Sequence, residues 1–308
     1  MEKVIILGTG IGGLTAAVYT ARAGLKPLLI SGPEDGGQLV YTKEVENFPG
    51  FPEGILGPSL ISYARRQAEK FGARFKVDMA TAVERLGDSG FIISLTEGEK
   101  IETKTLIVAT GASAKWLGIT SEKRYKGRGV TTCATCDGAF FKDKKVIVIG
   151  GGDSAMEEAL FLTRFASSVT IVHRHNFFKA SKFMQNRLFA NSKCTVEWNK
   201  EVVEVLGDGK KISGVKLKDT ITNVVSELNC EGVFLAIGHI PNTSIFKGFL
   251  EMDILGYLKT DRFCKTNVEG IFAAGDVQDN RYRQAITAAG SGCMAAMEAE
   301  KYLRERGV

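Results

Sequence analysis

One short pattern occurs twice in the chain. Residues Lys3 to Gly13 read KVIILGTGIGG, and Lys145 to Ala155 read KVIVIGGGDSA. Each copy is a lysine, an apolar Val/Ile/Leu run and glycines at G-x-G-x-x-(G/A) spacing. A proline-free, helix-like stretch follows each (Leu14 to Ala23 and Met156 to Phe165). An apolar run without alternation predicts a strand buried on both faces of a parallel sheet. Strand, glycine turn and helix in that order open a nucleotide-binding βαβ unit. One such string is weak evidence; two in the same context constrain the chain to an α/β class with two Rossmann-like, three-layer units. Its 308 residues suffice for two cores.

Each copy has a later strand signature, Thr105 to Gly111 (TLIVATG) in the first and Gly232 to Gly238 (GVFLAIG) in the second. A third, Gly270 to Asp276 (GIFAAGD), has no counterpart in the second copy. The economical reading is that the first unit is interrupted. Residues 1–116 and 245–308 would form it, and residues 117–244 would form the second, inserted unit. Pro58 to Phe71 predicts an amphipathic helix with Leu60, Ala64, Ala68 and Phe71 on one face, and Arg281 to Leu303 predicts another helix.

In such a fingerprint the first glycine makes the turn and the second admits a pyrophosphate against bare backbone. The third lets helix and strand pack closely, and the helix N-terminus offers unpaired N–H groups. These positions are Gly8, Gly10 and Gly13, then Gly150, Gly152 and Ala155. About 20 residues further on, the next strand end distinguishes the nucleotides. In the second copy, Val169 to Val172 leads to His173, Arg174 and His175, with Lys179 following. Cations and no carboxylate there favour a 2′-phosphate, hence NADPH over NADH, although a solvated basic turn reads the same way. In the first copy the strand Leu28 to Ile30 ends at Ser31, which does not name the nucleotide. FAD is favoured by Gly36, Gly37 and Gln38, and by Asp276 with Arg283, Gln284 and Ala285. Asp276 at a strand end suits a ribityl hydroxyl, and a helix starting near Arg283 suits the electron-rich edge of a flavin.

Cys133-Ala134-Thr135-Cys136 is the only C-x-x-C of the sequence. Zinc would need two further ligands at suitable spacing, and none lies near, so no metal is expected. A C-x-x-C closes a small disulfide ring and lowers one thiol's pKa, which favours a redox pair over buried structural thiols. Asp137 follows at once, as a general acid or as a helix-capping residue.

The remaining composition excludes more than it selects. Hydrophobic residues make up 44% and charged residues 24%, as in an ordinary globular chain. A net charge of +5 without long basic runs interleaved with aromatics argues against nucleic acid. No apolar run approaches the ~18 residues of a membrane span, and Val4 to Leu7 is too brief for a signal segment. The other four cysteines, Cys194, Cys230, Cys264 and Cys293, are scattered and read as core residues, not a secreted disulfide framework. A cytoplasmic protein is expected.

These residues resemble a known family, the low-molecular-weight thioredoxin reductases, over nearly the whole chain. The carriers are GTGIGGLTAA, GGQL, EVENFPGF (Glu44 to Phe51), RGVTTCATCDGAFF (Arg128 to Phe141), GGGDSAMEEALFLTRFA, AIGHIPNT, and AAGDV followed by YRQAITAAGSG. The resemblance implies a homodimer with FAD in the split unit and NADPH in the inserted one, which rotates to present its disulfide to flavin or to thioredoxin in turn. It implies that Cys136 is the flavin-side thiol, Cys133 the thiol that attacks thioredoxin, and Asp137 the acid–base. It extends the FAD set to Gly32, Asn47, Ala109 and Gly111, and the NADPH set to Asp153, Ser154, Glu157, Ile237 and Gly238. Arg128, Phe140 and Phe141 flank the pair and would form the thioredoxin-docking surface, unless the phenylalanines are core.

Three departures stand out. Ile11-Gly12 replaces the more usual Pro-Ala, and Ser31 stands where many flavoproteins have Glu. The basic signature H-R-R-x-x-x-R reads His173-Arg174-His175-Asn176-Phe177-Phe178-Lys179. A lysine is a point charge and a histidine is mostly neutral at pH 7, so a reduced margin of NADPH over NADH is expected. The rival readings are a peroxidase-linked reductase, a dithiol oxidase and a flavin-dependent redox sensor. The first expects extra N-terminal domains, for which a fingerprint starting at Gly8 leaves no room. The second fingerprint counts against an oxidase that dispenses with nicotinamide.

Overall fold

The computed structural model describes every residue except 33, 43 and 88. The chain opens with β1 (Glu2–Leu7), α1 (Ile11–Arg22), β2 (Leu28–Ile30), α2 (Gly57–Lys70), β3 (Arg74–Lys76), β4 (Ala80–Leu86), β5 (Gly90–Leu95) and β6 (Lys100–Val108). It crosses into a second unit within β7 (Ala112–Ala114). There follow α3 (Thr120–Tyr125), β8 (Val130–Thr131), α4 (Ala134–Asp137), β9 (Lys145–Ile149), α5 (Asp153–Leu162), β10 (Ser168–His173), α6 (Lys182–Phe189) and β11 (Cys194–Trp198). Next come β12 (Lys200–Gly207), β13 (Ile212–Asp219), β14 (Val225–Asn229) and β15 (Gly232–Leu235). The chain returns within β16 (His239–Pro241) and ends with β17 (Ile271–Ala273) and α7 (Ala285–Glu305). The first compact unit is Met1–Ser113 with Ile240–Val308, and the second is Ala114–His239. The crossings thus lie at 113/114 and 239/240, earlier than the 116/117 and 244/245 read from the sequence. Hydrophobicity changes too gradually at a strand-to-strand crossing to mark its residue.

In the first unit, β3, β2, β1 and β6 are parallel neighbours, and β17 pairs with the far half of β6. At nine residues β6 is long enough to pair through its first half with β5, antiparallel, and β5 with β4. Side chains alternate across β1 with period 2. Val4 and Ile6 enter the core under α1 and α7, and Ile5 and Leu7 enter the core on the other face with Phe91, Ile93 and Phe246. Each of these four β1 side chains is at most 2% exposed. Burying each contributes about 1.5–3 kcal/mol. That requirement explains the unbroken apolar run.

The second unit repeats the plan. Its parallel sheet runs β11-β10-β9-β15-β8. Val146 and Val148 face α5 and α6, whereas Ile147 and Ile149 face the antiparallel sheet β12-β13-β14. Both units therefore share a row of parallel strands with helices on one face. The antiparallel strands were not foreseen. No helix among the described residues is long and apolar enough to cross a membrane.

Candidate functional site

The first glycine loop leaves β1 where three strands end together. Gly8 N donates to Ile30 O at 2.8 Å, and Ala109 N donates to Leu7 O at 2.8 Å. A Cβ on Gly13 would lie 2.1 Å from Gly8 O, so helix and strand meet there with no space for a side chain. Gly10 differs. Its backbone (φ −64°, ψ 173°) suits any residue, and an added Cβ would meet nothing within 4 Å. The chain's own packing does not demand a glycine there. Gly10 caps α1 without a side-chain hydrogen bond, and no acidic residue sits in that helix's first turn. Bare backbone at an uncapped positive helix end fits a pyrophosphate.

Gly36 and Gly37 are brought over this loop: a Cβ on Gly37 would come 3.1 Å from Gly10 Cα. A relay that sequence reasoning missed fastens them. Gly36 N donates to Thr9 Oγ1 (2.9 Å), Thr9 Oγ1 donates to Asp35 Oδ1 (2.8 Å), and Arg65 pairs with Asp35 at 2.5 Å. The Asp-Gly dipeptide was the one available signal. Gln38 is exposed and donates to Glu34. Ser31 is buried and spends its hydroxyl hydrogen on Gly32 O (3.0 Å).

From the far end of the sequence, Gly275 brings Asp276 to the same loop, its Cα 3.6 Å from where a Cβ on Gly12 would stand. Burial, and then the neighbouring Asp279, push the Asp276 carboxyl up to about 6, against the opposing pull of Arg283. A half-buried carboxyl of this kind suits a hydroxyl donor such as the ribityl chain of a flavin. α7 begins at Ala285 with Gln284 as its cap, after Arg283 takes a left-handed φ of 48° in a turn that Asp279 holds. Asn47 Nδ2 donates to Gln284 Oε1 at 3.2 Å, joining two expected site residues 237 positions apart. Gly111, just past β6, accepts from Asn242 N at 3.0 Å.

The second loop repeats the open glycine. Gly152 (φ −99°, ψ 178°) caps α5 without a side-chain bond, and a Cβ there meets nothing within 4 Å. Asp153 Oδ1 accepts from Ser181 N and Oγ, both at 2.8 Å, and so anchors the start of α6. Ser154 and Glu157 are exposed beside it. Ile237 and Gly238 follow β15, and Gly238 O accepts from Lys115 N at 2.9 Å.

The expected cation cluster divides. Arg174 and Lys179 are exposed, and the His175 ring stacks on Phe177 at 5.6 Å. Lys179 N and Ala180 N both donate to Gly151 O, which ties this segment to the loop. His173 stands apart. It is buried among Phe178, Trp198 and the loop, where a Cβ on Gly151 would lie 2.2 Å from its Cε1. Burial first, then His175 and Arg174, lower its pKa, so it supports the loop as a neutral ring. The side chains left to meet a phosphate are Arg174, His175 and Lys179.

Cys133 and Cys136 form a disulfide with Cα atoms 5.4 Å apart, and Cys133 caps the short helix α4. Cys136 N points at Cys133 Sγ from 3.2 Å. An N–H aimed at this sulfur would stabilise its thiolate once the pair is reduced. Asp137 closes α4; burial raises its pKa, and a hydrogen bond from Thr131 opposes the rise. A carboxyl whose pKa is raised, beside a disulfide, is placed to protonate a departing thiolate. Phe141 packs edge-on against Phe234 at 5.1 Å and is core, whereas Phe140 and Arg128 are exposed. Cys230 and Cys264 are buried, with thiols pushed by burial up to about 12 and about 11. Cys194 and Cys293 are half-buried, and Cys194 packs against the core of the second unit. Among the described residues no three His, Cys, Asp or Glu side chains gather as a metal site.

Comparison with known proteins agrees with this chemistry. Residues 2–292 match the family model described as pyridine nucleotide-disulphide oxidoreductase. A thioredoxin reductase of Rickettsia conorii is 51% identical over 98% of both chains. One of Streptomyces coelicolor is 52% identical over 98% of this chain and 94% of its own. The crystal structure of thioredoxin reductase from Streptococcus pyogenes superposes with a TM-score of 0.94 at 39% identity, covering 99% of each chain. A double glycine fingerprint, a C-x-x-C disulfide beside a half-buried carboxyl and full-length similarity lead to one placement: the chain belongs to the pyridine nucleotide-disulphide oxidoreductases, in the thioredoxin reductase family.

Proposed function

We propose that the chain carries electrons from NADPH through FAD to the Cys133–Cys136 disulfide and on to oxidised thioredoxin. The observation that carries this reading is the disulfide itself, in the same unit as an open glycine loop and next to a half-buried acid. Gly10, the first turn of α1, Gly36, Gly37 and Asp276 would hold FAD in the first unit, with Asn47 and Gln284 at the start of α7. Bound FAD supplies two-electron traffic between a reduced nicotinamide and a disulfide. Gly152, the first turn of α5, Arg174, His175 and Lys179 would hold NADPH in the second.

After reduction, the Cys136 N–H favours the Cys133 thiolate. That thiolate attacks the thioredoxin disulfide: a mixed disulfide forms, the thioredoxin S–S bond breaks, and the first freed thioredoxin thiolate takes the proton of the Cys136 thiol. Cys136 then attacks Cys133, the ring closes again, and the departing thioredoxin thiolate takes a proton from Asp137. Thioredoxin's potential near −270 mV demands a donor as reducing as a nicotinamide.

Supporting a second copy as partner, Tyr19 on α1 and Ile286, Met294 and Met297 on α7 are exposed apolar residues of the first unit. Light scattering should report a homodimer.

An anaerobic titration tests the relay. NADPH should bleach the flavin band, and adding thioredoxin should start turnover. Cys136→Ser should still bleach yet reduce no thioredoxin. A chain that takes up no flavin, or whose flavin NADPH leaves oxidised, would overturn the proposal.

A further inference from the structure

The half-buried acid beside the disulfide is not held by its own helix alone. Thr131, the last residue of β8, lies two positions before Cys133 and six before Asp137. Its hydroxyl donates to Asp137 Oδ2, and the same oxygen accepts from Cys133 N at 3.2 Å. A threonine has one O–H to give, and here it goes to the carboxyl. The backbone closes the circuit, with Asp137 N donating to Cys133 O at 3.2 Å. One side chain thus ties a sheet edge to both the sulfur-bearing residue and the acid.

We infer that Thr131 is a positioning residue for thiol–disulfide exchange, because its hydroxyl fixes the Asp137 carboxyl against the cysteine pair and serves it in both protonation states. The inference rests on the reading of the pair as redox-active and of Asp137 as its proton donor. When the thioredoxin thiolate leaves, it carries the electron pair of the broken S–S bond and takes the Asp137 proton. Asp137 is then a half-buried carboxylate, and the Thr131 O–H donates to it. When Asp137 regains a proton, the threonine oxygen can accept from it, since a hydroxyl has two lone pairs. The influences on this carboxyl are burial, which favours the neutral form, and Thr131, which favours the ion. Next to it, Gly138 packs against Leu162, Phe161 and Phe165, all apolar side chains that offer no substitute donor.

The test compares Thr131→Val and Thr131→Ala with Thr131→Ser in the flavin-loaded enzyme. NADPH should bleach the flavin of all three as in the parent, which checks folding. In the valine and alanine variants kcat/KM for thioredoxin should fall about tenfold, the size of one lost hydrogen bond to a charged group. The alkaline limb of its pH profile should move up by about one unit, because the ionised carboxyl has lost its donor. Serine should restore both. A second measurement needs no thioredoxin: alkylation of the dithiol-reduced enzyme by iodoacetamide against pH. Its midpoint should move down in the hydroxyl-free variants, since a carboxyl that keeps its proton no longer opposes a nearby thiolate. Unchanged profiles in valine and alanine, or a serine variant that behaves like them, would overturn the role of Thr131. A parent enzyme that reduces no thioredoxin would instead overturn the proposed function, and the alkylation midpoints would still decide on Thr131.

Discussion

In the first unit the glycine loop is walled in by its own chain. α7 crosses α1 so closely that a Cβ on Gly292 would lie 2.2 Å from Gly12 O, and the Thr9–Asp35–Arg65 relay draws Gly36 and Gly37 over Gly10. In the second unit the loop is supported from beneath by His173, while Asp153, Ser154, Glu157, Arg174 and Lys179 around it are exposed. The same spacing serves two purposes. An enclosed loop suits a group that stays bound, and an exposed one suits a group that must leave in every cycle.

The sharpest way to break this contrast is the third fingerprint position. Gly13→Ala forces a methyl to 2.1 Å from Gly8 O and should destabilise the first unit by about 3–5 kcal/mol, read as a lower urea midpoint with loss of flavin. In the second unit that residue is already alanine, and Ala155→Gly should cost only about 1–2 kcal/mol. Similar losses in the two units would remove the distinction.

Asp276→Asn probes the enclosed side next. A carboxyl raised to about 6 in the fold, from an ordinary 3.8, favours folding while protonated and loses that contribution as pH rises between those values. At pH 7 the flavin-free parent therefore bears a penalty of up to about 3 kcal/mol that asparagine lacks. The variant should melt higher without flavin at pH 7, lose that advantage below pH 4, and bind flavin more weakly. A variant that melts lower at pH 7 would contradict the burial argument.

On the exposed side, Gly152→Ala should leave the melting temperature nearly unchanged, since nothing stands within 4 Å of the new methyl. It should raise the KM for NADPH by about 10–100-fold by blocking close approach of a phosphate. The smallest expected change is Arg174→Ala, which should lower the NADPH:NADH ratio of kcat/KM about tenfold, less at high salt. An unaltered ratio would remove this cation from the specificity argument.

Much of this was legible in the sequence because it is local. Val4 to Leu7 and Val146 to Ile149 are apolar throughout because both faces of each strand are covered, and the glycine spacing follows from one turn of backbone. The antiparallel pairs β4–β5 and β12–β13–β14 were not legible, since ordinary alternating strands do not name their partners. His173 read as a phosphate ligand because a sequence shows charge type but not burial. Thr9, Asp35, Arg65 and Thr131 escaped because a hydroxyl or an ion pair acquires its role only from what folding sets beside it.

The interruption of the first unit also orders events during synthesis. Residues 114–239 emerge from the ribosome as a complete body, while the body begun at Met1 still lacks β17, α7 and Asp276. Domains fold as their chain becomes available. The nascent protein therefore reaches a stage with the inserted unit finished and the α1 face of the interrupted unit bare, and the proposed flavin site would be complete only after α7 has emerged.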